Sequence, residues 1–256
     1  MTGQDHYRLK SIKQIKKLLS INNLILAKTA YFSDQATTEQ GIIKVADKSF
    51  RPAMHANRIY EVIKLPDKLY YSHSKHASLY GAESMPWDTD LELQIGDLIW
   101  HDYMNTLDCP VIKVDDEPEA EYKLLWYKDI YFALRGDMVI PVNGYLLCEE
   151  VENENASTLE IYKDDLIDKK VGRVRYIGTP NREYLGWWKK GGYVTSKYVD
   201  DGVDISEEDM IIKRVPEDHR LVEETMHANF DQDKNYFVIQ RRNIYAKTTD
   251  GSYPRA

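Results

Sequence analysis

The feature that most constrains the fold of this chain is a set of four sequence blocks that occurs twice, in the same order. The two copies of each block lie 112 to 121 residues apart. Two tandem domains of about 110 residues each fit the usual domain size, so this spacing predicts an internal duplication. The paired blocks are 22–26 with 143–147, 60–63 with 172–175, 96–100 with 208–212, and 121–134 with 235–246.

The repeated blocks belong to a longer pattern of short apolar runs, such as Leu24–Leu26 and Leu98–Trp100. Polar stretches with Gly, Pro, Asp or Asn separate these runs, which is typical of an all-β fold. The chain also has 19 Tyr against 5 Phe, and tyrosine suits half-exposed sheet faces and interfaces. A polar turn at Arg135–Asp137 lies between the copies, so the sequence predicts one β-domain over 21–135 and a second over 136–256.

A basic segment precedes the first repeat. Residues 7–19 have apolar side chains at helical spacing, which predicts an amphipathic helix within residues 1–20. Two interpretations stay open: the helix packs on its own domain with a solvated lysine face, or it docks on an acidic partner surface. Residues 115–121, in contrast, are interpreted as a solvated acidic turn. The cations of the basic segment are Arg8, Lys10, Lys13, Lys16 and Lys17.

Charge and cysteine usage limit the classes of function. A net charge of -8 argues against a general nucleic-acid binder. Cys109 and Cys148 lack metal-site spacing and are expected to be reduced, buried thiols. No run of eighteen apolar residues and no secretory signal is present, so we expect a cytoplasmic protein with no membrane partner.

No catalytic or metal-binding pattern is recognisable. His73 and His76 are three residues apart, but no further ligand follows at a metal-site interval. His101 and Asp102 are neighbours, and neighbours on a strand point to opposite faces. The chain also lacks a Walker A loop, a nucleophile elbow and a dinucleotide-binding glycine motif. The sequence therefore predicts a protein that is not an enzyme, with no catalytic residues, metal or cofactor.

An apolar triplet, Gly41, Ile42 and Ile43, follows the polar residues 37–40. It could be a strand turn or the tip of a loop made for another protein. Its position after the first block and before the second favours the loop.

A second unusual stretch mixes aromatic side chains and glycines at Trp187, Trp188 and Tyr193. It predicts a hairpin tip or an apolar patch for subunit contact. Base stacking is the alternative, but it fits an acidic chain without a basic stripe less well.

With these blocks in place, each repeated unit resembles the GroES-like, ten-kilodalton chaperonin family. The resemblance is carried by Gly41–Ile43 in the loop, by Gln94–Trp100 against the pattern "x-x-G-D-x-V-x-F", and by Val171–Gly178 against "G-x-V-x-x-V-G". It covers roughly residues 21–248 and leaves the basic segment outside. It implies two tandem, partly open GroES-like β-barrels, preceded by the N-terminal helix.

In that family several copies form a ring over a chaperonin barrel, and each copy docks a mobile loop in the chaperonin. The resemblance therefore implies a co-chaperonin-like homo-oligomer that binds a chaperonin through Gly41, Ile42 and Ile43 and assists protein folding. The corresponding loop of the second unit has no such triplet, so one docking loop per chain is expected.

A different class of function stays open. The same fold could serve as a structural or assembly component of a virus particle, located in the virion and bound to other virion proteins. The added basic segment, the tyrosine-rich surface and the second loop without a triplet favour this alternative.

Overall fold

The structure is a computed structural model in which a defined part of the chain is described. The described residues are 6–18, 22–31, 35–37, 43–45, 59–71, 85, 89–102, 105–106, 109–152, 167–180, 182–189, 192–200, 204–213, 225–226, 236–248, 250 and 252. The chain divides into two compact units. One comprises residues 1–142 and 186–196, and the other comprises 143–185 and 197–256.

The first unit is built on an eight-stranded sheet. Its neighbouring strands pair antiparallel, except for β1 and β7, which are parallel. In sheet order the strands are β1 (His6–Leu9), β7 (Val111–Val114), β8 (Glu117–Trp126), β2 (Leu24–Tyr31), β5 (Ile59–Lys64), β6 (Leu98–His101), β9 (Ile130–Arg135) and β10 (Met138–Pro141). A short helix, α1 (Ile12–Lys17), follows β1, and a separate antiparallel pair joins β3 (Gln35–Thr37) to β4 (Ile43–Val45).

The second unit is built on a six-stranded antiparallel sheet. Its strands, in sheet order, are β16 (Thr225–Met226), β17 (Tyr236–Gln240), β11 (Tyr145–Glu152), β12 (Ile167–Ile177), β15 (Met210–Lys213) and β18 (Ile244–Thr248). A two-stranded sheet pairs β13 (Arg182–Lys189) with β14 (Gly192–Asp200). The all-β prediction is confirmed. Over the described residues both large sheets are open, and neither closes into a barrel.

The repeated sequence blocks correspond to repeated structure. Five strands in the order β8-β2-β5-β6-β9 match five in the order β17-β11-β12-β15-β18. The registers match as well: Ala27 pairs with Val62, and Cys148 pairs with Val174. A register shift precedes each of these two pairs, directly after Leu26 and Leu147. The duplication therefore extends to irregularities of the ladder, which are features of a specific fold.

The turn before the third repeated strand is duplicated down to its hydrogen bonds. The Asp97 carboxylate accepts the Gln94 amide at 2.7 Å, and the Asp209 carboxylate accepts the Ser206 amide at 2.8 Å. Both carboxylates are buried, and each forms an ion pair with a cation of the last repeated strand. The pairs are Arg135 with Asp97 at 2.8 Å and Lys247 with Asp209 at 3.0 Å. A buried charge is tolerated because it is paired and hydrogen-bonded.

Each unit has its own apolar core, made by alternate residues of its sheet. Cys109 and Cys148 are buried free thiols, one in each core, as the sequence predicts. The first core includes Ile25, Val62, Ile99, Leu125 and Ala133, and the second includes Leu146, Val174, Ile211, Phe237 and Ile239.

The predicted N-terminal helix over residues 7–19 is wrong in its extent. His6–Leu9 form β1 instead, because they pair with β7 at the sheet edge and because the Leu9 carbonyl accepts the Asp115 amide at 2.9 Å. The helix starts only after Ser11, where the Gln14 side chain accepts the amides of Lys10 and Ser11 at 2.7 and 3.2 Å. A side chain that reaches back to these amides marks a helix start.

The two units differ in the connection between the second and third repeated strands. In the first unit Asn23 exchanges two hydrogen bonds with the backbone of Tyr70, at 2.8 and 2.7 Å. Leu69, Met85 and Leu93 from the same connection enter the core. The corresponding connection, between β12 and β15, contains β13 and β14, and residues 186–196 of it are grouped with the first unit. The shared sheet thus supports two different additions at one position.

Candidate functional site

The apolar triplet lies in the connection between β2 and β5, the first two repeated strands of the first unit. The strand pair β3–β4 occupies part of this connection, and Thr37 pairs with Ile43. Ile43 therefore begins a strand, whereas Gly41 and Ile42 lie outside the described residues. The strand that begins at Ile43 was not foreseen from the sequence, and the loop interpretation of Gly41 and Ile42 stays a prediction.

The aromatic stretch between β12 and β15 is placed on two neighbouring strands. Trp187 and Trp188 belong to β13, and Tyr193 belongs to β14. These strands form the hairpin that the glycine-flanked pattern predicts. Subunit contact through this hairpin stays a prediction.

The N-terminal basic segment is the one candidate site whose side chains are described in detail. Ile15 of α1 is fully buried against Leu26, Ile112, Val114 and Tyr122 of the sheet. Complete burial of an isoleucine is worth about 1.5–3 kcal/mol. The first of the two sequence-based interpretations is therefore correct in one respect, since the helix does pack on its own unit. Its apolar side anchors it, and its opposite side carries the charges.

The cations of this segment fall into two groups. Arg8 lies on β1 and binds the Asp115 carboxylate at 2.6 Å; this hydrogen bond and the negative charge of Asp115 raise the pKa of Arg8. The second group is exposed and makes no ion pair with any described carboxylate. Its members are Lys10, Lys13, Lys16 and Lys17.

The acidic turn between β7 and β8 lies against the start of α1. Besides the Arg8 contact of Asp115, an Asp116 carboxylate oxygen accepts the Ile12 amide at 3.3 Å. Glu117 binds Lys28 at 2.9 Å and accepts the Tyr122 hydroxyl at 2.7 Å, and both contacts lower the pKa of Glu117. Of the segment 115–121, interpreted from the sequence as a solvated turn, only Asp115 and Asp116 form the turn, and residues 117–121 belong to β8. The two turn residues are exposed, and they also contact the basic segment. Sequence reasoning missed this because the two segments are about a hundred residues apart.

An open groove runs beside this turn, with a volume of about 440 Å³. Tyr7 contributes an exposed aromatic ring to it, with 53% of its surface accessible. The groove and the helix thus form one mixed surface at the β1 edge of the sheet. The lining residues are Tyr7, Arg8, Lys113, Val114, Asp115 and Pro118.

The buried polar cluster around His101 has a different character. His101 Nδ1 lies 2.6 Å from Thr106 Oγ1 and 2.9 Å from the Asp102 carbonyl oxygen. The Asp102 carboxylate instead accepts the Tyr131 hydroxyl at 2.7 Å and the Asn105 amide at 3.0 Å. Burial lowers the pKa of His101 to about 4. The ring is therefore neutral at physiological pH. The two side chains make separate contacts, although Asp102 follows the end of β6 and is not on the strand with His101.

Within the part of the chain that the structure describes, no three His, Cys, Asp or Glu side chains are grouped closely enough to hold a metal ion. No helix in that part is long and apolar enough to cross a membrane.

Comparisons of this chain with protein-family models, with curated proteins and with solved structures found no significant match.

Proposed function

We propose that this chain is a co-chaperonin-like protein, not an enzyme, that forms a ring-shaped homo-oligomer and binds a chaperonin through the Gly41–Ile43 triplet. The observation that carries the proposal is the position of this triplet in a duplicated β-unit. It lies in the connection between the first two of five repeated strands, and its last residue, Ile43, begins β4. On this proposal each unit is a partly open GroES-like barrel, and the second unit is mainly architectural.

The physical basis of such a contact is weak binding repeated many times. Ile42 and Ile43 would each contribute about 1.5–3 kcal/mol if a partner groove buried them fully. A segment that becomes ordered on docking loses conformational entropy, so one contact alone is weak and reversible. Several copies on one ring raise the effective concentration of the remaining triplets. The assembly can then bind firmly and still be released.

Co-purification with a bacterial chaperonin in the presence of nucleotide tests this proposal. Replacing Ile42 and Ile43 by Asp should abolish binding, because a charged side chain in an apolar groove is unpaired and desolvated. Ile95→Asp is the matched control, since Ile95 is 70% exposed elsewhere in the same unit. Binding that survives the double substitution would refute the role of the triplet.

A second candidate function is supported by a different observation. β1 and α1 precede the repeated strands of the first unit, and among the described residues no such strand and helix precede those of the second; β10, which comes directly before β11, is a strand of the first unit's sheet. An addition of this kind, with exposed lysines, suits permanent assembly into a larger particle with other virion proteins. Imaging of purified particles separates the two functions, since incorporation in a large shell supports the second and a small closed ring supports the first.

A further inference from the structure

The N-terminal segment is positively charged, whereas the rest of the chain carries a net negative charge. Residues 6–18 contain five cationic side chains and no acidic one. The net charge of the whole chain is -8, so the remaining residues together carry -13. The overall composition of such an acidic chain does not account for this basic cluster, so the reason for it must be sought in the structure around it.

The helix holds its lysines on a fixed support. Ile15 anchors α1 in the sheet, Gln14 caps its start, and Lys64 Nζ donates a hydrogen bond to the Leu18 carbonyl at its end. Lys13, Lys16 and Lys17 have the spacing of one helix face. A preformed surface loses less conformational entropy on binding than a flexible tail does.

The lysines of α1 differ from other lysines of the same unit in their partners. Lys28 binds Glu117 at 2.9 Å, Lys113 binds Glu121 at 3.0 Å, and Lys123 lies 3.5 Å from Glu121. The four lysines from Lys10 to Lys17 contact no described carboxylate. Their positive charge is therefore available to an external group.

We propose that Lys10, Lys13, Lys16 and Lys17 form a docking surface for an acidic segment of a partner protein. The argument is charge complementarity: a short run of Asp and Glu side chains matches four cations held on and beside one helix. This site goes beyond the chaperonin contact proposed above and does not depend on it.

The acidic turn at the start of α1 decides the class of partner. A six-residue helix is about 9 Å long, which is close to the screening length of physiological salt. A long polyanion that followed the lysines would also meet the negative charges of Asp115 and Asp116. A short acidic protein segment can contact the lysines and end before the turn. The surface therefore favours a protein partner over a nucleic acid.

Fluorescence anisotropy on the full chain tests the docking surface. The probes are a labelled oligoglutamate peptide and a labelled single-stranded DNA of equal charge. Replacing Lys13, Lys16 and Lys17 by Gln should weaken peptide binding about tenfold, because three exposed ion pairs with the peptide are lost. The matched control replaces Lys68, Lys128 and Lys170 by Gln, which removes the same charge elsewhere and should leave binding within about twofold.

Two results would overturn the proposal: wild-type protein that does not bind the peptide, or an equal loss of binding in the helix variant and its control. A separate variant, Asp116→Asn, tests the role of the acidic turn. This change should increase DNA binding more than peptide binding. Wild-type protein that binds the DNA as tightly as the peptide, or a turn variant with no such selective increase, would contradict a protein partner. The triplet Gly41–Ile43 is intact in all these variants, so failure here is distinguishable from failure of chaperonin binding.

Discussion

At the residue scale, the two units fill one equivalent packing position in different ways. Gly172 on β12 faces the Phe237 ring of β17, and a Cβ atom added at Gly172 would overlap that ring. The equivalent positions in the first unit hold Tyr60 on β5 and Lys123 on β8. The large aromatic side chain is thus carried by a different strand in each unit. Such volume exchange preserves close packing while the sequences diverge.

We predict that Gly172→Ala destabilises the second unit by about 1–3 kcal/mol, because the added methyl group forces the Phe237 ring to move. Urea unfolding followed by intrinsic fluorescence measures the change. Adding Phe237→Leu to the Gly172→Ala variant should remove part of the penalty that the alanine causes, since the smaller side chain makes room. An alanine variant as stable as the wild type would contradict the close contact.

The buried His101 makes a second residue-scale prediction, about pH. Burial lowers its pKa in the folded protein to about 4, compared with 6.5 for an exposed histidine. Well above pH 6.5, His101 is neutral in both the folded and the unfolded protein, so it adds no pH dependence to the free energy of unfolding. As the pH falls between these values the unfolded chain binds a proton that the folded chain does not, so stability decreases.

We expect His101 to account for about 2 kcal/mol of stability lost between about pH 7 and about pH 5. The His101→Asn variant, which does not titrate, should lose less stability over the same interval. Urea midpoints of both proteins at the two pH values measure the difference. Identical pH profiles would show that His101 is protonated equally in the folded and unfolded states.

At the element scale, the N-terminal segment shows what local patterns can and cannot predict. The spacing of Ile12 and Ile15 correctly predicted a helix that buries an apolar side. It could not predict that Tyr7 and Leu9 belong to a strand, because β1 exists only through pairing with β7, far away in sequence. The five repeated strands were predictable because each copy supported the other. The strand pair β3–β4 had no repeat to support it and was missed.

We predict that Ile15→Ala destabilises the first unit by about 2–4 kcal/mol, through lost burial and a cavity beside Tyr122. In the Ile15→Ala variant, the rate of backbone amide hydrogen exchange should increase most at residues 12–18. Lys16→Ala is the matched control, because Lys16 is exposed on the same helix and its removal should change stability by less than about 0.5 kcal/mol. Equal effects of the two substitutions would mean that α1 is not anchored by Ile15.

At the scale of the whole molecule, the chain is one β-unit used twice, with different additions on the two copies. The first copy carries the triplet-bearing connection and the basic segment, and the second carries the hairpin β13–β14. The presence and sequence order of the repeated strands follow from the duplicated apolar blocks. The partner does not follow from them, because it depends on exposed side chains that the core does not constrain.

Native mass spectrometry of the purified chain, alone and mixed with a bacterial chaperonin and nucleotide, is the decisive test of the proposed function. We predict a discrete closed oligomer that adds to the chaperonin as one body. Replacing Ile42 and Ile43 by Asp should leave the oligomer intact and abolish the complex. A chain that stays monomeric and never joins the chaperonin would contradict the proposed function.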